Sequence, residues 1–223
     1  MSYIKNVSIA KNIRQIEAQI DGRAKLVAVT KTKPISLLQE AYDAGCKCFG
    51  ENKVQEMVEK QALLPTDIEW HLIGHLQTNK VKYMASFVSL VHSVDSLKLL
   101  QEINKQAAKA ERVIDCLLQI HIAQEETKFG FSETEVETLL GSDEVEKLAN
   151  VRIVGLMGMA SNVADELQIR HEFRSLKLFF DKLNTSYATS FTILSMGMSG
   201  DYLLAIEEGS TLVRVGSAIF GSR

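Results

Sequence analysis

Two lysines follow a short apolar run near the start of the chain, and the chemistry they offer is that of an amine. Residues 26–29 (LVAV) are followed by Lys31 and Lys33, ahead of Pro34. A short apolar run that a proline stops is typical of a buried parallel strand. Partial burial at a strand end favours the neutral amine, which forms a Schiff base with an aldehyde. Taken alone, the segment favours the simpler interpretation of two solvated lysines that close a strand.

Two segments rich in glycine and serine lie near the other end of the chain, SMGMSGD at residues 195–201 and RVGSA at residues 214–218. Their small side chains leave backbone N–H groups open, and a helix that begins after the first segment would add unpaired amides, which bind anions such as phosphate. Simple tight turns are the alternative explanation of these glycines. The candidate phosphate ligands are Ser199, Gly200, Gly216 and Ser217.

Arg214 stands between two valines and therefore points to the opposite face of its predicted strand. A buried guanidinium needs an acceptor, and a ligand's pyridine nitrogen or the carboxylate of Asp201 would serve equally well. A Schiff-base lysine together with a phosphate site indicates a ligand that carries both an aldehyde and a phosphate. Pyridoxal 5′-phosphate (PLP) qualifies, and so does a phosphorylated sugar aldehyde, the substrate of a lysine-dependent aldolase.

The elements that must position these residues alternate between strand and helix. Strands are predicted at residues 26–30, 46–50, 68–74, 87–94, 115–122, 151–157, 191–196 and 212–220. An amphipathic helix at residues 3–20 precedes them, and the longest helix is predicted at about residues 165–184. The predicted helix caps are Ser36 with Gln39, Asn52, Thr78, Asp95, and Ser132 with Glu135.

This alternation predicts a parallel sheet, and eight strands in a chain of one domain's length favour a closed (β/α)8 TIM barrel. An open doubly wound sheet is the alternative, but no GxGxxG follows an early strand. No linker or repeat interrupts the pattern, so residues 1–223 are expected to form a single domain with an extra N-terminal helix. In a barrel the strand ends face one rim, which would bring Lys31, Asn52 and the two glycine-rich segments together.

Composition narrows the class of protein. The chain is 46% hydrophobic and 24% charged, with a net charge of −3, and has neither a basic block nor a long apolar run. Nucleic-acid binding and membrane insertion are therefore not expected. The N-terminus does not resemble a signal peptide, which favours the cytoplasm.

No metal site is predicted from the cysteines and histidines. The three cysteines have no metal-ligand spacing. His71 and His75 are four residues apart, but they lie near a strand end and not on a helix, so their side chains need not share a face. Cys46 and Cys48 are expected to pack on one strand face.

Several motifs, taken together, resemble the pyridoxal phosphate homeostasis protein family, whose members are single-domain relatives of the N-terminal barrel of alanine racemases. The motifs occur in order from about residue 25 to residue 221. They are AVTKTKP, FGENKVQE, WHLIGHLQTNK, HSVD, SMGMSGDY with AIEEGST, and VRVGSAIFG. The segment at residues 155–161 (GLMGMAS) matches less closely and is assigned no role.

The resemblance implies a barrel that carries PLP as a Schiff base on Lys31. It also implies that Ser199, Gly200, Gly216 and Ser217 hold the phosphate, that Arg214 faces the pyridine nitrogen, and that Asn52 lies beside the ring. Lys33 is expected to add positive charge near the phosphate or to accept the cofactor in transit, and His75 to reach the ligand from the rim.

The family is regarded as regulatory, without established catalytic turnover. After VRVGSAIFG the sequence has no room for the second domain that completes the active site in racemases of this fold. We therefore expect a monomeric, non-catalytic protein of intracellular PLP homeostasis that passes the cofactor to PLP-dependent apoenzymes. A PLP-dependent amino-acid racemase of the same fold is the alternative.

Overall fold

Eight parallel strands close into a barrel in chain order in the computed structural model, which describes residues 8–123, 129–187 and 189–221. The strands are β1 Lys25–Val29, β2 Cys48–Glu51, β3 Glu69–Leu72, β4 Leu90–Val94, β5 Ile114–Ile120, β6 Val151–Gly158, β7 Ile193–Ser195 and β8 Leu212–Val215. Pairing of β1 with β8, in which Lys25 lies opposite Leu212, closes the barrel. The predicted (β/α)8 barrel is therefore confirmed.

Helices separate the strands along most of the chain. They are α1 Ile9–Ile20, α2 Ile35–Asp43, α3 Val54–Gln61, a 3₁₀ helix Thr78–Tyr83, α4 Leu97–Lys109, α5 Glu133–Leu140, α6 Asp143–Glu146, α7 Glu166–Ser186, α8 Tyr202–Glu207 and α9 Ser217–Phe220. The extra helix α1 precedes the barrel as predicted, and its four isoleucines are buried because they are spaced three or four residues apart. Residues 3–7 of the predicted helix lie outside the described residues. Among the described helices, none combines the length and apolar character that crossing a bilayer requires.

Helix starts were predicted less well than the helices themselves. The capping box of Ser132 and Glu135 is confirmed, with the Ser132 side chain accepting from the Glu135 N–H and the Glu135 carboxylate accepting from the Ser132 N–H. The predicted cap at Asp95 is wrong by one residue, because Ser96 is the residue whose hydroxyl accepts the Leu99 N–H.

Three further predicted caps are wrong: Ser36 with Gln39, Asn52, and Thr78. Helix α2 begins directly after Pro34, so that Ser36 already lies inside the helix. Lys53 precedes α3 and Gln77 precedes the 3₁₀ helix, and neither side chain accepts a capping hydrogen bond. A cap must be the last extended residue before the helix, and the path of the loop from the preceding strand decides which residue that is.

The predicted eighth strand is too long. It ends at Val215, and residues 217–220 form the short helix α9 instead. Their apolar sequence reads as strand, but Ile219 and Phe220 are buried outside the barrel, where the Asn12 side chain of α1 donates to the Ile219 carbonyl at 2.8 Å. Packing against α1 therefore overrides the strand pattern.

The apolar core has two parts. The larger part lies between the strands and the helices, and a smaller one fills the barrel interior, where Val27, Cys48, Leu90, Leu117 and Leu212 are buried. The prediction that Cys46 and Cys48 share a strand face is wrong, because Cys46 precedes β2 and packs in the outer part. Buried polar side chains fill the barrel interior between these apolar residues and the other end of the barrel.

Gly155 marks a close approach between β6 and β7. A Cβ on Gly155 would lie 1.7 Å from the Ile193 carbonyl oxygen. Gly155→Ala should therefore destabilise the fold by about 1–3 kcal/mol or more, because backbone must move to make room. Chemical denaturation measures the change. Gly141→Ala is the control, since its new Cβ would come no closer than 3.4 Å to another atom. Equal stability of the two variants would contradict the close approach.

Candidate functional site

A cavity of about 340 Å³ opens at the C-terminal ends of the strands. All seven residues predicted from the sequence line it: Lys31, Asn52, Ser199, Gly200, Arg214, Gly216 and Ser217. They come from the loops after β1, β2 and β7, from β8 and from the start of α9. The barrel thus collects residues that lie up to 186 positions apart in the sequence.

Lys31 sits in a tight turn that directly follows β1. The Lys33 N–H donates to the Thr30 carbonyl at 3.0 Å, which closes the turn. Thr32 adopts a left-handed backbone with φ of 63°, a conformation that costs a β-branched residue about 1–3 kcal/mol. The Lys31 amine has no hydrogen-bond or ion-pair partner within the described part of the chain. It is therefore available to a ligand in the cavity.

A buried ion network holds this turn in place. Lys60 pairs with Glu51 at 2.7 Å and with Glu56 at 2.6 Å, and also donates to the Thr30 carbonyl at 2.8 Å. Glu56 in turn accepts the Thr32 N–H at 2.5 Å, and the Thr30 hydroxyl donates to Glu51 at 2.5 Å. Burial raises the pKa of Glu51, while Lys60 and Thr30 oppose that rise. The network offsets the strain at Thr32 and fixes the position from which the Lys31 side chain extends.

Arg214 is buried at the bottom of the cavity. Its guanidinium donates to the Ser195 carbonyl at 2.9 Å, to the Ser195 hydroxyl, and to the Gly158 carbonyl at 3.0 Å. These three bonds leave two of the five guanidinium N–H groups without a partner among the described residues. Burial lowers the pKa of Arg214 to about 10, and the charge of Asp201 opposes that shift. The guanidinium therefore stays charged at neutral pH and can donate to a ligand acceptor.

The two glycine-rich loops are joined by Ser199. Its hydroxyl accepts the Gly216 N–H at 3.0 Å and the Ala218 N–H at 3.4 Å. Gly200 faces open space, since a Cβ there would meet no atom within 4 Å. Ser217 is exposed at the start of α9. Backbone N–H groups and hydroxyls thus gather on one side of the cavity, in a pattern suited to a phosphate.

Asn52 lies on the cavity wall, where its backbone passes very close to Gly74. A Cβ on Gly74 would lie 2.5 Å from the Asn52 carbonyl oxygen, so only glycine fits there. Apolar residues that the sequence did not single out complete the wall: Val29, Ile73, Met159 and Met198. Residues 155–161 were assigned no role, yet they supply both Met159 and the Gly158 carbonyl that Arg214 binds. Their position at the C-terminal end of β6 was the sequence feature that could have identified these residues as part of the site.

Two expectations about neighbouring residues need correction. Lys33 was expected to be solvated, but its amine donates to the Gly221 carbonyl at 3.0 Å while the residue lines the cavity. His75 was expected to reach the ligand. Instead it pairs with Asp95 at 3.2 Å, stacks on Phe129, and is not part of the cavity lining.

A chain of buried polar groups runs from the cavity through the barrel interior. The Ser195 hydroxyl lies 3.0 Å from His92 Nδ1, and His92 Nε2 lies 3.0 Å from His71 Nδ1. Burial lowers the pKa of His92 well below its usual value, so this imidazole is neutral. His92 is fully buried, whereas His121 and His171 are exposed.

Comparison with known proteins gives concordant matches. The model of the alanine racemase N-terminal domain family matches residues 4–223. A pyridoxal phosphate homeostasis protein from Aquifex aeolicus is 42% identical over 201 residues, which cover 90% of this chain and 87% of that protein.

Solved structures of similar proteins agree with these sequence matches. PipY from Synechococcus elongatus, determined with PLP bound, is 34% identical, with a TM-score of 0.88 over 96% of this chain and 100% of that chain. Alanine racemase from Streptomyces lavendulae shares the fold at 19% identity, with a TM-score of 0.77 over 97% of this chain and 57% of that chain. The chain therefore belongs to the pyridoxal phosphate homeostasis protein family, whose barrel is that of the alanine racemase N-terminal domain.

Proposed function

We propose that this protein binds pyridoxal 5′-phosphate in the cavity at the C-terminal end of the barrel, with Lys31 as the covalent anchor. The single observation that carries the proposal concerns one cavity. It brings together a lysine amine and buried arginine donors that have no partner among the described residues, and a wall of hydroxyl and backbone N–H groups. A relative solved with PLP bound supports the choice of ligand.

Each residue has a distinct task in this proposal. Lys31 would hold the cofactor covalently through its amine, which would bond to the aldehyde carbon as a Schiff base with release of one water. Ser199, Gly200, Gly216 and Ser217 hold the phosphate through hydroxyl and backbone N–H groups. Arg214 would donate to the pyridine nitrogen and, as a permanent cation, would keep it unprotonated. Asn52 would lie beside the ring. When bound, PLP supplies an electrophilic aldehyde conjugated to an electron-accepting ring.

The proposed role is reversible holding of PLP in the cytoplasm, with release to PLP-dependent apoenzymes, rather than catalytic turnover. The titratable side chains among the described residues that line the cavity are Lys31, Lys33 and Arg214. A racemase needs a second acid/base group on the opposite side of the substrate, and this lining offers no carboxylate, tyrosine or histidine for that task. The names of the relatives, which refer to homeostasis, support this reading. We also propose that the protein acts as a monomer.

Absorption spectroscopy and mass spectrometry test the proposal. Purified protein mixed with PLP should show the visible band of a Schiff base, and borohydride should trap one cofactor per chain on the peptide that carries Lys31. Absence of the band together with a failure to retain added PLP would refute cofactor binding. Exchange of the α-hydrogen of amino acids for deuterium, catalysed by the loaded protein, would contradict the non-catalytic role.

A further inference from the structure

Three potential metal ligands meet at the opposite end of the barrel from the cavity. Cys48 is the first residue of β2, Glu69 is the first residue of β3, and His71 follows two positions along β3. One donor atom from each lies within 4.8 Å of the other two. Cys48 Sγ is 3.4 Å from His71 Nε2, and Glu69 Oε2 is 3.8 Å from the same nitrogen.

We propose that Cys48, Glu69 and His71 form a binding site for a thiophilic divalent metal ion of the zinc class. Metal–ligand bonds of about 2.0–2.3 Å in a tetrahedron place neighbouring donor atoms about 3.3–3.6 Å apart. The two distances to His71 Nε2 nearly match this range, and the donor atoms of Cys48 and Glu69 lie within 4.8 Å of each other. The donor set of thiolate, imidazole and carboxylate is one that zinc accepts. The thiolate and the carboxylate together neutralise a dication, and the Cys48 thiol proton leaves to solvent on binding.

The surroundings of His71 orient it as a ligand. Its Nε2 faces Cys48 and Glu69, whereas its Nδ1 lies 3.0 Å from His92 Nε2. A metal-binding histidine usually has its second ring nitrogen fixed by a hydrogen bond, and His92 is placed to accept one from Nδ1–H. His92 is fully buried and hydrogen-bonded in turn to Ser195, so it cannot easily rotate away. The His71 ring is thereby held with Nε2 toward the other two donors.

The exposed side of the cluster is where a metal ion can enter and where Lys25 competes with it for Glu69. Cys48 and His71 are buried, but Glu69 is about half exposed, so an ion can enter and a water can complete the coordination. Lys25 forms an ion pair with the Glu69 carboxylate. Its side chain is also about half exposed and can turn toward solvent when a metal takes its place. Lys25 is therefore expected to weaken metal binding without preventing it.

Titration with Co²⁺ tests the site, using tag-free protein that has first been treated with a chelator. One equivalent should produce a near-ultraviolet thiolate-to-cobalt band, and Zn²⁺ should abolish that band by displacing Co²⁺. Cys48→Ser should lose the band. Cys46→Ser is the matched control and should keep it, because Cys46 is buried only two residues away but lies in the outer core.

If Cys48→Ser does not fold, two variants at half-exposed positions test the metal site instead. Glu69→Gln should weaken Co²⁺ binding by about tenfold or more, whereas Lys25→Met should tighten it. A wild-type titration without a thiolate band would overturn the proposal, as would a wild-type dissociation constant in Glu69→Gln. This outcome is independent of the PLP proposal, which concerns the other end of the barrel.

Discussion

Lys31→Ala should abolish covalent PLP binding completely. Lys31 is the cavity lysine with an unpaired amine among the described residues, and no Schiff base can form without that amine. The visible absorption band that appears when wild-type protein is mixed with PLP should be missing. Borohydride reduction should leave the mass of the variant unchanged. The phosphate pocket remains intact in this variant, so a weak, reversible uptake of PLP is still expected in equilibrium dialysis.

Lys33→Ala is the matched control, because Lys33 lies two residues further along and lines the same cavity. Its amine is already engaged with the Gly221 carbonyl. The variant should keep the band and the trapped adduct, with a lower affinity for PLP because one positive charge near the phosphate is lost. If Lys33→Ala abolished the adduct while Lys31→Ala retained it, the anchor would be assigned to the wrong lysine.

Lys60→Met should destabilise the fold by about 3–5 kcal/mol, because it leaves the carboxylate of Glu51 buried without its cation. Glu51 is fully buried, and one of its two carboxylate oxygens already lacks a hydrogen-bond partner among the described residues. The variant should also bind PLP less completely, since the Lys31 turn loses the support of Lys60 at the Thr30 carbonyl. Urea denaturation at neutral pH, followed by circular dichroism, measures the change in stability.

The pH dependence of this loss identifies its cause. Burial raises the pKa of Glu51, and removing Lys60 should raise it further. A carboxyl group whose pKa is raised by folding destabilises the folded state at pH values above the raised pKa. This destabilisation disappears at pH values below the pKa that the group has in the unfolded chain. The difference between Lys60→Met and wild type should therefore shrink as the pH falls toward 4. A difference that stays constant with pH would show that lost packing, and not the unpaired carboxylate, causes the instability.

Lys47→Met is the control for removing an ion pair without burying a charge. Lys47 pairs with Asp67 at 2.5 Å, but both side chains are about half exposed. Solvent screens such a pair, so the urea midpoint should hardly change. A large loss of stability in this control would mean that the buried position of Lys60 is not what matters.

Local sequence patterns were sufficient to predict the order of the strands and helices. Apolar runs predicted every strand, with ends that shifted by a few residues, and the fourfold isoleucine repeat predicted α1. The cap at Ser132 was found because both of its partners lie within one turn. Caps that depend on how a loop leaves the barrel were wrong, and so was the end of β8, where packing of α9 against α1 competes with strand propensity.

The sequence by itself determined the barrel and seven of the residues that line its cavity, because the C-terminal ends of all strands in a closed parallel barrel lie at the same rim. Tertiary structure alone decided how those residues are held. The Glu51–Lys60–Glu56 network joins the end of β2 to α3 beneath the Lys31 turn, and within it only the Glu56–Lys60 pair has a helical i,i+4 spacing. The buried chain from Arg214 to His71 and the cluster of Cys48 with Glu69 and His71 join different strands. Such contacts leave no spacing in the sequence, since the distance along the chain between two strands depends on loop lengths and not on the atoms that meet.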